Sequence, residues 1–290
     1  MAGSSKPRED YVEANGLRFF MREWGDARTK HAVLLLHGYA ETSEVWLEVG
    51  PDLGREFRVI ALDLRGHGKS SYAANHDYSR TAQVEDLEAI VEQLGLRSVT
   101  IVGHAMGGAD AICYAAEHPE AVSALVLVET APEVLRSGME ALRRLLATAP
   151  EFSSLDEAIE AFRPFHPYAT TEQLERRALG ALKHENGSYQ WDFDPVFRDP
   201  TARPIEPDPG QRRFHDLWDS ADRLQCPMMI VRGAETDMLT PEAIQRLHRR
   251  VVGSRVSLIE EAGHAVPTDQ PAMLALNVRE FLQSIANLPV

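Results

Sequence analysis

Val99-Thr-Ile-Val-Gly-His-Ala-Met-Gly-Gly108 decides the fold of this chain. Val99–Val102 is apolar except for Thr100, and so short a run reads as a strand buried on both faces of a parallel sheet. Gly103, Gly107 and Gly108 then mark a tight turn. Ala109–Ala116 continues apolar to His118-Pro119, where proline stops a helix. Strand, glycine-flanked turn and helix are the setting of a nucleophile elbow, Gly-x-Ser-x-Gly. Its glycines lack bulk so that strand and helix can approach. At the centre, where that motif has serine, this chain has Ala105. A glycine-rich turn that binds phosphate would read the same way in isolation, so the surroundings must decide.

The surroundings repeat the strand signal. Val33–Leu36 ends at His37-Gly38, Val59–Leu62 at Asp63, and Ala124–Val128 at Glu129. Met228–Val231 runs into Arg232-Gly233, and Val256–Ile259 is interrupted only by Ser257. Near the N-terminus, Tyr11–Glu13 and Leu17–Glu23 flank Asn15-Gly16, a hairpin signal, after an expected disordered leader at residues 1–8. Helical spacing covers Thr81–Leu94 before Gly95, Pro241–Arg250 behind the N-cap Thr240, and residues 268–286. Alternating strand and helix predict a doubly wound α/β sheet with right-handed crossovers.

One stretch breaks the rhythm. Residues 132–224 show helical patterns at Glu140–Ala147, Leu155–Phe162 and Thr171–Leu182, then a Pro/Asp-rich loop from Trp191 to Gly210, and no buried strand. They read as an inserted helical cap, leaving residues 1–131 and 225–290 as the core.

Composition narrows the function. A chain of 290 residues with 44% apolar and 26% charged residues belongs with soluble globular proteins. A net charge of −14 speaks against nucleic acid and anionic membranes, both of which select for basic residues. Two cysteines, Cys113 and Cys226, are too few for a secreted disulfide framework. No signal core and no run of eighteen apolar residues is present, so the expected location is cytoplasmic. There is no Cys/His metal spacing and no Walker loop, so no metal or cofactor is expected.

Three elements add chemistry to the elbow. His37-Gly38-Tyr39 follows a strand where a second backbone oxyanion donor belongs, so Tyr39 and Met106 N–H are the expected pair. Val231-Arg-Gly-Ala-Glu-Thr-Asp237 ends a strand in an acid-bearing loop. Asp237 is the expected acid, with Glu235 a near alternative and Glu129 a more distant one. Glu260-Glu-Ala-Gly-His264 follows the last strand and supplies the expected base, His264. Asp63-Leu-Arg-Gly-His-Gly-Lys-Ser70 is chemically tempting, but its glycines and the local pairing of Asp63 with Arg65 suit a structural loop. His104 should point away from the face that Ala105 presents.

Together these residues resemble the α/β-hydrolase superfamily, in its small bacterial esterase, lactonase and C–C hydrolase branch. The resemblance covers nearly the whole chain outside leader and cap. It implies the α/β-hydrolase fold: a mostly parallel, doubly wound, eight-stranded sheet with the helical cap inserted after strand 6. Members of the branch read Gly-His-Ser-Met-Gly-Gly at the elbow, so this chain departs at Ala105 alone. Haloalkane dehalogenases and epoxide hydrolases look similar but carry aspartate there, usually followed by Trp or Arg, whereas Met106 suits the serine branch.

Alanine cannot form an acyl-enzyme. The intact acid, base and glycines favour an ester or lactone hydrolase whose serine has been replaced, nearly inactive and suited to trapping substrate. The alternatives are a native ligand-binding pseudoenzyme and a dehalogenase-like parent. The expected partner is a small apolar ester or lactone met by Gly38, Trp191 and Phe165, although cap aromatics more often form the cap's own core. A monomer or homodimer is expected.

Overall fold

The computed structural model describes residues 6–29, 31–135, 140, 144–147, 149, 151–199 and 217–286. Eleven strands occur among them: β1 (Arg8–Ala14), β2 (Leu17–Trp24), β3 (Ala32–Leu36), β4 (Arg58–Leu62), β5 (Val99–His104), β6 (Val122–Val128), β7 (Glu151–Phe152), β8 (Leu182–Glu185), β9 (Ser188–Trp191), β10 (Met228–Gly233) and β11 (Arg255–Ile259). Eight form one sheet in the order β1-β2-β4-β3-β5-β6-β10-β11. β2 runs antiparallel to both neighbours, and every pair from β4 to β11 is parallel. This is the expected mostly parallel α/β-hydrolase sheet. β1 begins at Arg8, inside the stretch expected to be leader. Asn15 (φ 49°) and Gly16 (φ 74°) make the hairpin turn as read.

Helices among the described residues include α1 (Gly50–Leu53), α2 (Arg80–Gln93), α3 (Ala105–Glu117), α4 (Leu155–Phe162), α5 (Thr171–Ala181), α6 (Leu217–Ala221), α7 (Pro241–Arg250), α8 (Val266–Asp269) and α9 (Pro271–Ala286). Strand side chains alternate between the two faces of the large sheet. Leu34, Leu36, Ile60 and Leu62 join Leu87 of α2, Ile112 of α3 and Leu247 of α7. Val33, Leu35, Val59 and Ala61 join Leu53 of α1 with Leu274 and Val278 of α9. Helices on both faces explain why these strands read as unbroken apolar runs rather than alternating ones.

The segment between β6 and α6 is not purely helical, as the sequence had suggested. α4 and α5 are joined there by a three-stranded antiparallel sheet, ordered β7-β9-β8. Asn186 (φ 53°) and Gly187 (φ 85°) turn β8 into β9. Lys183, His184 and Glu185 of β8 are exposed, so no apolar run betrayed the strand. Phe152, Ile159, Phe162, Leu174 and Trp191 give the segment a core of its own. The expected helix at Glu140–Ala147 and the loop to Gly210 fall partly outside the described residues. α6, inside the expected cap bounds, places Ala221 in the core of the large sheet. Among the described residues, no helix is long and apolar enough to cross a membrane, and no group of three or more His, Cys, Asp or Glu could hold a metal ion.

Candidate active site

β5 delivers His104 in an extended conformation, and the next residue, Ala105, stands at φ 46° as α3 begins. That left-handed angle is costly for any residue with a Cβ. The elbow holds it by close approach. A Cβ on Gly103 would lie 2.5 Å from Gly108 Cα. Gly107 N–H donates to the His37 carbonyl at 3.2 Å, tying α3 to the end of β3. The Thr130 hydroxyl donates to the Ala105 carbonyl at 3.2 Å from the end of β6. Met106 N–H lies in the first turn of α3, where a helix supplies no acceptor of its own, and the positive end of the helix dipole faces the same way.

The chain after β3 closes on this turn. Gly38 is pressed against it: a Cβ there would meet His104 Nδ1 at 2.8 Å and Ala105 Cβ at 3.3 Å. Gly38 N–H donates to Glu41 Oε2 at 2.7 Å. Tyr39, the next residue, sends its hydroxyl to the Phe197 carbonyl and sets its ring edge-on to Phe197.

His264 Nδ1 donates to Glu129 Oε2 at 3.1 Å, which corrects the expectation that Asp237 pairs with it. Glu129 directly follows β6 and is 1% exposed. Its carboxylate also accepts from Gly233 N–H at 2.7 Å and the Thr236 hydroxyl at 2.6 Å. Three donors thus meet a fully buried carboxyl group, as a buried polar group requires. Asp237 fails for a local reason. Ala234 N–H bonds the Ile259 carbonyl and Glu235 N–H bonds the Ala262 carbonyl, pinning the loop after β10 to the chain beyond β11. Thr236 then faces inward, and its neighbours Glu235 and Asp237 are exposed on either side. The signal for Glu129 was an acid placed directly after a central apolar strand.

His104 is no free base. Nδ1 faces Glu41 Oε2 at 2.7 Å and Nε2 faces the His264 carbonyl at 2.9 Å. Both neighbours are acceptors, so the ring carries two protons and a charge. Burial opposes that charge, but Glu41 outweighs it and raises the His104 pKa. Burial likewise opposes a charged Glu41, and His104 and Arg177 hold it well below the usual carboxylate range. The Arg177 guanidinium reaches from α5 to Glu41 Oε1 at 2.9 Å. Glu41 and Arg177 carried no motif signal in the sequence.

The Asp63–Ser70 loop is structural as read, with one correction to its pairing. Asp63 accepts from Ser43 N–H at 2.7 Å and Lys69 N–H at 2.9 Å, whereas Arg65 pairs with Asp86. Burial drives His67 down to about 3, and its ring packs on Phe193 and Phe197. Trp191 was expected to meet substrate. It stacks on Phe162 instead, and its indole N–H donates to the Ala149 carbonyl at 2.8 Å. Phe165 is half-buried, next to the buried His166.

Ala105, Glu129 and His264 thus share one end of the sheet, just beyond the carboxyl ends of β5, β6 and β11, where open α/β sheets build their sites. A family model for the alpha/beta hydrolase fold matches residues 31–271. An esterase of Mycobacterium tuberculosis (strain ATCC 25618 / H37Rv) is 29% identical over 289 residues, covering 96% of this chain and 90% of the relative. A putative 2-succinyl-6-hydroxy-2,4-cyclohexadiene-1-carboxylate synthase of Bacillus subtilis (strain 168) is 28% identical over 296 residues, covering 94% and 97%. Among solved structures, E-2-(acetamidomethylene)succinate hydrolase is similar with a TM-score of 0.83 at 20% identity, covering 96% of this chain and 99% of that one. At that identity the likeness speaks for the fold alone.

Proposed function

The chain belongs to the α/β-hydrolase fold family, and from that premise we propose that it is built as a hydrolase of carboxylic esters, lactones included, with Ala105 in the nucleophile's place. The observation that carries this reading is the hydrogen bond from His264 Nδ1 to Glu129 beside a strained elbow. A buried carboxylate on Nδ1 fixes the tautomer and leaves Nε2 to act as base. The similarity to an esterase supports the same class.

In the active form, a serine at 105 attacks the ester carbonyl while His264 Nε2 takes its proton. Glu129 steadies the imidazolium. Tyr39 and Met106 N–H groups receive the oxyanion, helped by the α3 dipole. His264 then returns the proton to the leaving alkoxide, and water repeats the cycle on the acyl-enzyme. With alanine present no covalent step occurs, so the chain binds ester and turns over almost nothing. The partner in this reading is a small ester, with no metal or cofactor.

Ala105→Ser tests the proposal. With short acyl esters of a chromogenic phenol, kcat/KM should rise by ~10³-fold or more over the Ala105 chain, since losing such a serine elsewhere costs on the order of 10⁶. No rise would overturn it and leave a ligand-binding protein. Halide release by Ala105→Asp but ester inertness of Ala105→Ser would point to the dehalogenase-like alternative.

A further inference from the structure

Six residues separate β11 from α8, and His264 sits in that irregular stretch, Glu260–Ala265. Two peptide groups beside its side chain are nevertheless held by buried side chains. Gly263 N–H donates to Asp269 Oδ2 at 2.8 Å. The His264 carbonyl accepts from His104 Nε2 at 2.9 Å.

Each holder is met in turn by a residue from the segment between β6 and β10. Arg177 of α5 binds Glu41, and Glu41 binds His104. His166 brings Nδ1 to 3.8 Å from Asp269 Oδ1, and both atoms are buried without a hydrogen bond among the described residues. Resting on the hydrolase reading, we propose that this segment positions the His264 base through the buried brace Arg177–Glu41–His104, alongside a second brace from Asp269 of α8 to the Gly263 N–H. His264's working geometry is then set by how the segment docks as well as by the sheet.

The energetics favour a positioning role over a stabilising one. Buried ion pairs seldom stabilise a fold better than apolar packing in the same space, because desolvation consumes most of the attraction. Here three charged groups, Arg177, Glu41 and His104, are sequestered together and end on one carbonyl, that of the base itself. The opposite brace, from Asp269, ends on the N–H of Gly263, the residue before the base. Thr42 Oγ1, donating to the Gly180 carbonyl at 2.9 Å, and Arg176, paired with Glu48, fasten α5 to the loop that carries Glu41.

The test uses the Ala105→Ser protein with Arg177→Met and Asp269→Ala, and with Arg177→Lys and Asp269→Asn as conservative partners. Arg177→Met and Asp269→Ala should each lower kcat by about 10-fold or more with KM changed less than ~3-fold, because small misplacements of a catalytic group are felt mainly in turnover. The acid limb of the pH–kcat profile should move, and the conservative variants should recover most of the rate. Unchanged kcat in both, or a loss carried by KM with the pH profile fixed, overturns the proposal. If Asp269→Ala does not fold, the Arg177 pair decides by the same criteria.

If Ala105→Ser has no esterase activity, the hydrolase reading fails separately. The braces are then read in the Ala105 chain from solvent exchange of the His264 Nδ1 proton by NMR. Arg177→Met should speed that exchange by about 10-fold, on the scale at which local opening limits exchange, and an unchanged rate overturns the braces.

Discussion

Glu129 and His264 lie 135 positions apart in the chain and 3.1 Å apart in space, joined by the hydrogen bond from Nδ1 to Oε2. The proposed hydrolase therefore takes its acid from Glu129, just after β6, while Asp237 faces solvent. In the Ala105→Ser background, Glu129→Gln should lower kcat by about 10³–10⁴-fold, the scale seen when a triad acid loses its charge and the histidine its tautomer. Asp237→Asn should leave kcat within about 2-fold, as expected of an exposed side chain away from the reaction. Equal losses in the two variants would refute this assignment.

Ala105 carries a Cβ at φ 46°. Ala105→Gly should raise stability by roughly 1 kcal/mol, the cost of a left-handed L-residue less the greater chain entropy of glycine. Thermal denaturation measures it. A lower Tm would show that the elbow does not store strain.

Burial raises the Asp269 carboxyl from 3.8 to about 6, with Gly263 N–H, Arg177 and His104 opposing and Glu129 adding to the rise. His166, itself pushed well below its usual value by burial, faces it from the other side. The folded protein thus holds this proton more tightly than the unfolded chain. Its contribution to stability is fully present below about pH 4 and is lost as pH rises through about 6. Asp269→Asn keeps an acceptor for Gly263 N–H and removes the buried charge. It should gain roughly 1–3 kcal/mol over the parent at pH 8, and the gain should vanish near pH 4. A pH-independent difference in denaturant unfolding would contradict this.

Trp191 is packed between Phe152, Phe162 and Phe193. Trp191→Ala should cost the β7–β9 segment about 3–5 kcal/mol, the range for a truncated core aromatic. Hydrogen exchange should show protection lost over 151–191 and kept in β5 and β6. Intact protection there, with a selective rise in KM, would restore Trp191 as a substrate contact.

The large sheet was legible because a strand covered on both faces must be apolar throughout, and Val33–Leu36, Val59–Leu62 and Val99–Val102 announced themselves that way. The elbow was legible because steric crowding leaves few options besides glycine at 103 and 107. β8 and β9 were not, since only Leu182 and Trp191 among their residues are buried. Chain order points to Asp237, whereas the imidazole of His264 pairs by reach with Glu129. Asp237 follows a proper strand, yet the turn through Ala234 and Glu235 presents Thr236 instead. The residues around Glu41 left no trace because a buried ion pair needs only complementary partners, with no fixed spacing.

β6 and β10 are neighbours, and Thr236 already touches the carboxylate that Glu129 extends from the adjoining strand. Neighbouring strands thus bring two chain positions, 129 and 236, to one carboxylate. In the proposed hydrolase, an acid introduced at 236 would come beside the Glu129 carboxylate with the histidine and the elbow left where they are.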